Sequence, residues 1–160
     1  MDKQRVLVVA DRTADAPELV EGLRRRGAVG SARVTLLVPA SPQRFRRGGQ
    51  VGAWSSAAER AEAGVAAIRA AGIDCDGAVV ADPDPLLAVG DVLHARGFDE
   101  LLVAAPPPGL WALLRPSLVE RLRRETELPV AELTIHPLEG GPLIHVGRRA
   151  PRRPRVGAAS

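Results

Sequence analysis

The chain has 160 residues, 46% hydrophobic and 26% charged, a size and balance that suit one packed domain and are too small for two well-buried cores. Aromatics are only 2%, with no Tyr, so the core must be built from Val, Leu, Ile and Ala, and a platform of aromatics for stacking bases is nearly excluded. The net charge of +3 sits at one end: Arg148, Arg149, Arg152, Arg153 and Arg155 lie in the last 14 residues without an acid, and the rest of the chain carries 17 basic against 19 acidic residues, about −2.

Cys75 is the single cysteine, so neither an internal disulfide nor a Cys-rich zinc site can form. No run approaches the roughly 18 apolar residues of a membrane span, and the five apolar residues after Arg5 are too few for a signal peptide. A soluble, cytoplasmic protein is expected. Arginine outnumbers lysine 21 to 1, a bias that genome composition explains as readily as function.

Arg5 to Ala10 is a continuous apolar run, the pattern of a strand covered on both faces. Asp11 to Pro17 is turn-like, and Leu19, Val20 and Leu23 recur at helical spacing before Gly27 ends the helix. Ala32 to Val38 reads as a second strand. Pro39 to Ala53, broken by prolines and glycines, reads as a loop. Trp54, Ala57, Ala61, Val65 and Ile68 then form one stripe of an amphipathic helix ending at Gly72, with Glu59, Arg60, Glu62 and Arg69 away from it.

Gly77 to Ala81 is a short third strand, and Asp82-Pro-Asp-Pro85 supplies capping acids and first-turn prolines to a helix carrying Leu86, Val89 and Leu93. Leu101 to Ala104 is the fourth strand. Ser117-Leu-Val-Glu120 is a capping box that opens a helix to about Thr126, and Pro129 to Ile135 is the fifth strand. Five strands separated by helices, with no hairpin signal, predict an α/β fold: a Rossmann-like, doubly wound parallel five-stranded sheet in a single domain. The most continuous apolar strands belong at its centre, giving the order 3-2-1-4-5. The domain is expected over 1–136, with an extension at 137–146 that offers an edge strand or interface, and an Arg-rich, disordered tail at 147–160.

Val6-Leu-Val-Val-Ala-Asp11-Arg-Thr13, Val79-Val-Ala-Asp82-Pro83, and Leu101-Leu-Val-Ala-Ala105 through Ser117-Leu-Val-Glu-Arg-Leu122 to Leu128-Pro-Val130 together resemble, in order, the motifs of the universal stress protein family. The resemblance covers residues 4 to 135. It implies a ligand site near Asp11, Thr13, Val38, Ala104, Gly109, Ser117 and Leu118, and pairing of two subunits through their last strands. ATP-binding members carry Gly-x2-Gly-x9-Gly-Ser/Thr after the fourth strand, because only glycines let backbone N–H groups surround phosphate oxygens. Here Pro106, Pro107, Pro108 and Pro116 occupy that stretch and have no N–H to donate, with Gly109 the one glycine left. ATP binding is therefore not expected, and no cofactor is. The helix start at Ser117 could still hold a single anion.

Local alternatives stand beside these readings. Asp11 is also an ordinary turn or cap acid, Thr13 a cap for the first helix, and Ser117 an N-cap completed by Glu120. His94, His136 and His145 show no metal-binding spacing, so no metal is expected, and His94 belongs on a helix surface. Cys75, between Asp74 and Asp76 in a loop, has acids that raise its pKa and disfavour a nucleophile. Trp54 and Trp111 suit packing. Arg44-Phe45-Arg46-Arg47 suits a solvated loop. With no catalytic residue to name, the expectation is a non-enzymatic stress or regulatory protein acting through protein contacts as a homodimer. A nucleotide- or anion-binding sensor is the second reading. A nucleic-acid binder using the five tail arginines is the third and least favoured.

Overall fold

The computed structural model describes residues 2–40, 42–81, 83–106 and 117–135, with the backbone alone for 42–53. Among the described residues nine elements alternate: β1 (Gln4–Ala10), α1 (Pro17–Arg25), β2 (Ala32–Pro39), α2 (Pro42–Ala70), β3 (Asp74–Ala81), α3 (Pro85–Ala95), β4 (Glu100–Ala105), α4 (Leu118–Glu125) and β5 (Val130–Thr134). The strands form one sheet in the order β3-β2-β1-β4-β5, with every neighbouring pair parallel. The expected architecture and strand order are both present. The expected extension at 137–146 and the tail arginines lie outside the described residues, as do Gly109 and Trp111.

β1 is central because its side chains are apolar on both sides. Val6, Val8 and Ala10 join the cluster beneath α1 and α2, where Leu19, Leu23, Ala57, Ala61 and Ile68 also lie. Leu7 and Val9 enter the opposite cluster, with Val89, Val92, Val119 and Leu122 of α3 and α4. Each face is thus a separate aliphatic core with the sheet between them, which is how a chain nearly without aromatics fills its interior.

Two helix ends are set by glycine. Gly27 has φ +76°, its N–H bonds to the Arg24 carbonyl, and the Ala28 N–H reaches back to Leu23. Gly72 at φ +79° repeats the arrangement with Arg69 and with Ile73 reaching Ile68. These are paired Schellman closures, and they require the left-handed backbone that glycine adopts without a Cβ clash. Here the stop signals read from sequence coincide with the ends observed.

Two expectations need correction. The helix expected to start at Trp54 starts at Pro42, so the segment read as a loop, with Arg44 to Arg47 in it, is helical. Proline is tolerated as a first helical residue, and interior glycines lower helix propensity by about 1 kcal/mol each without forbidding the helix. Cys75 lies within a strand, not a loop, and is buried. The flanking acids misled because they point outward: Asp74 meets Lys3 and Arg33 at 3.3 Å, and Asp76 is skipped by a bulge that pairs Cys75 with Val34 and Gly77 with Thr35.

The covering helices also tie down the outer strands with arginine. Arg69 of α2 donates Nε and Nη2 to the Cys75 carbonyl at 3.0 and 2.9 Å, and Arg123 of α4 does the same to Val130 at 3.2 and 3.1 Å. These planar forks occupy carbonyls where the sheet ends.

Candidate functional site

The strand order reverses direction between β1 and β4: β1 leads to β2 on one side, and β4 leads to β5 on the other. Side chains and loops part there at the carboxyl ends of the strands, leaving the crevice in which open parallel sheets bind ligands. A cavity of about 540 Å³ occupies this place. Val9, Pro39, Ala40, Pro83, Pro85, Val103 and Leu118 line it with apolar groups, and Asp11, Arg12 and Thr13 supply polar ones.

Thr13 is buried, and its hydroxyl donates to the Ala104 carbonyl at 3.0 Å. That bond joins the turn after β1 to the end of β4 and fixes the width of the crevice. Thr13 is therefore not the helix cap proposed from sequence: the N-cap of α1 is Ala16, which makes no side-chain capping bond. Its hydroxyl proton is committed to the fold, which leaves only lone pairs for a ligand.

Asp11 stands at the cavity wall with its side chain 43% exposed, and Arg60 of α2 approaches it from behind, Nη2 to Oδ1 at 3.4 Å, with an exposure of only 13%. Arg60 Nη1 lies 3.5 Å from Ser56 Oγ, and its Nε is buried without a hydrogen-bond partner among the described residues. The sequence pattern placed Arg60 away from the apolar stripe of α2 and gave it no role at the site, whereas its side chain is only 13% exposed. One turn on along α2 lies Gly64. A Cβ at Gly64 would meet the Ala14 carbonyl oxygen at 2.3 Å, so α2 presses directly on the turn that carries Asp11.

Of the residues proposed from sequence, the fold brings Asp11, Thr13, Ala104 and Leu118 to this cavity. Val38 is buried under α1 and α2 just before the wall residue Pro39. Ser117 lies at the start of α4 and is exposed. Its hydroxyl accepts from the Glu120 N–H at 3.2 Å and its own N–H donates to Glu120 Oε2 at 2.9 Å. The capping box expected from sequence is thus formed, and it uses two of the donors that an anion at this helix end would need.

Cys75 is remote from the cavity. Burial pushes its thiol pKa up; a hydrogen bond with the Gly77 backbone and the charge of Arg69 oppose this, and the adjacent acids add only smaller upward effects. The direction expected from sequence holds, but desolvation is the main cause, not charge. His94 is exposed on α3. Among the described residues no three His, Cys, Asp or Glu side chains converge as a metal site, and no helix is long and apolar enough to cross a membrane.

No protein-family model matches the chain, and no curated protein matches it in sequence. Solved structures do match in shape. A universal stress family protein from Burkholderia pseudomallei superposes with a TM-score of 0.56 at 14% identity, over 81% of this chain and 95% of that one. The chain has the universal stress protein fold. Two further structures of this fold hold ligands: a universal stress protein in complex with cAMP (TM-score 0.53, 19% identity, 85% of this chain and 100% of that one), and one from Arabidopsis thaliana with AMP bound (TM-score 0.55, 20% identity, 83% and 92%).

Proposed function

We propose that the chain is a non-enzymatic, universal-stress-protein-like regulatory domain that takes a nucleoside or nucleoside monophosphate in the crevice between β1 and β4 and does not grip a triphosphate. The observation that carries this reading is the cavity itself. At about 540 Å³ it falls within the range of small-molecule sites, roughly 300 to 1,000 Å³. Its lining is mostly apolar with a few polar groups from Asp11, Arg12 and Thr13, which suits a flat base with a sugar. The cAMP and AMP held by proteins of the same fold are ligands of this size.

The absence of a triphosphate grip follows from chemistry after β4. Four prolines in 106–116 offer no N–H groups, and the α4 capping box engages Ser117 and Glu120 with each other. A loop that surrounds three phosphates needs several such donors at once. The non-enzymatic part is supported by Cys75, the strongest nucleophile available, being buried and held as the thiol.

Backbone amide NMR shifts during a titration with AMP test the location. Perturbations gathered at Asp11, Thr13, Ala40, Ala104 and Leu118 are expected; shifts gathered on another surface would refute it.

One further observation favours a homodimer. Among the described residues β5 pairs only with β4, which leaves its outer edge as a template for a second strand. Light scattering is expected to give twice the 16.9 kDa chain mass, and a monomer at high micromolar concentration would contradict it.

A further inference from the structure

Arg60 is buried in a way that the stability of α2 does not call for. An arginine on a covering helix usually keeps its guanidinium in water and lays only its stem on apolar surface. The Arg60 side chain is instead 13% exposed, with Nη2 3.4 Å from Asp11 Oδ1 and Nη1 3.5 Å from Ser56 Oγ. Its Nε is buried without a hydrogen-bond partner among the described residues. Two long contacts and a donor left over return little for the desolvation of a cation. This geometry is better suited to orienting Asp11 than to stabilising the helix.

The turn that carries Asp11 is anchored on two sides. On one, α2 presses against it at Gly64, where a Cβ would meet the Ala14 carbonyl oxygen at 2.3 Å, so the helix bearing Arg60 and the turn have no room between them. On the other, the Thr13 hydroxyl donates to the Ala104 carbonyl at 3.0 Å. Within the turn the Ala14 N–H donates to the Asp11 carbonyl at 3.3 Å. The Asp11 backbone is thus fixed, and its carboxylate is the part that can rotate. A carboxylate accepts several hydrogen bonds at once, so the contact of Arg60 at Oδ1 is compatible with a donor from a ligand in the cavity that Asp11 lines.

We propose that Arg60 is a positioning residue, which holds the Asp11 carboxylate in the orientation that accepts a hydrogen bond from an N–H or O–H donor of the ligand. This rests on the crevice taking a nucleoside-type ligand. Ordering one side chain before the ligand arrives is worth about three- to tenfold in affinity.

Isothermal titration with adenosine of the full chain, of Arg60→Met, of Asp11→Asn and of the double variant tests the proposal. Arg60→Met is expected to bind about three- to tenfold more weakly than the unaltered chain, and Asp11→Asn to lose at least as much. The double variant should bind within about twofold of Asp11→Asn, because Arg60 acts through Asp11 and the effects of coupled residues do not add. Arg60→Met should melt no lower than the unaltered chain, since it removes a desolvated cation and leaves Asp11, whose side chain is 43% exposed, in contact with water. Unchanged adenosine affinity in Arg60→Met, a further loss in the double variant, or a Met variant that melts lower or fails to fold would overturn the positioning role. Absence of adenosine binding to the unaltered chain would remove the nucleoside reading itself, which distinguishes the two failures.

Discussion

The Thr13 hydroxyl donates to the Ala104 carbonyl at 3.0 Å across 91 residues of sequence, and this buried bond closes the base of the crevice between β1 and β4. Thr13→Val keeps the shape and removes the donor, leaving a buried carbonyl without this partner. We expect a loss of about 1 to 3 kcal/mol, with Thr13→Ser close to the unaltered chain. Urea denaturation measures it, and equal midpoints for the Val and Ser variants would show that the hydroxyl contributes nothing.

Gly64 permits the close approach of α2 to the turn bearing Asp11. Alanine there gains about 1 kcal/mol of helix propensity, but its Cβ would lie 2.3 Å from the Ala14 carbonyl oxygen, a backbone atom, and 2.9 Å from Leu36 Cδ2. Overpacking of this kind costs about 1 to 3 kcal/mol, so Gly64→Ala should lower stability. Gly90, in α3, has nothing within 4 Å of its notional Cβ, and Gly90→Ala should raise stability by up to about 1 kcal/mol. Thermal melts of the two variants should therefore move in opposite directions.

Cys75 has a thiol pKa raised by burial. A group that holds its proton more tightly when folded contributes stability that is complete below the unfolded thiol pKa and is lost as pH rises through the folded one. Stability should decline above about pH 9, the ordinary thiol value, and Cys75→Ala should flatten that part of the profile. Reaction with a disulfide reagent at neutral pH should be slow in the folded chain and fast in denaturant. Rapid labelling of the folded protein would show the thiol to be open.

The strands and both apolar faces were legible because burial writes itself locally. A run such as Val6 to Ala10 can be satisfied only with cover on both sides, and Gly27 and Gly72 mark ends that need a left-handed residue. The first half of α2 was not legible, since three glycines and a proline imitate a loop when cover from the rest of the fold is not visible. Cys75 was misplaced for a related reason: the alternation of Asp74, Cys75 and Asp76 places acids outward on an edge strand, where Lys3 and Arg33 meet Asp74.

At the site, Asp11 and Thr13 could be found from their position after the first strand. Arg60 could not, because its partner Asp11 is 49 residues away and nothing local distinguishes a largely buried arginine from the 20 others. The functions of Arg69 and Arg123 as clamps on carbonyls of β3 and β5 were hidden in the same way. Contacts of this kind depend on how helices lie on a sheet, which hydropathy patterning does not encode.

The most direct measurement is a calorimetric comparison of AMP and ATP on the full chain. The account predicts saturable AMP binding at one site per chain, with ATP binding no tighter, because four prolines in 106–116 have no N–H to offer further phosphates. ATP binding at least tenfold tighter than AMP would contradict it, showing that the proline-bearing segment supplies phosphate contacts after all.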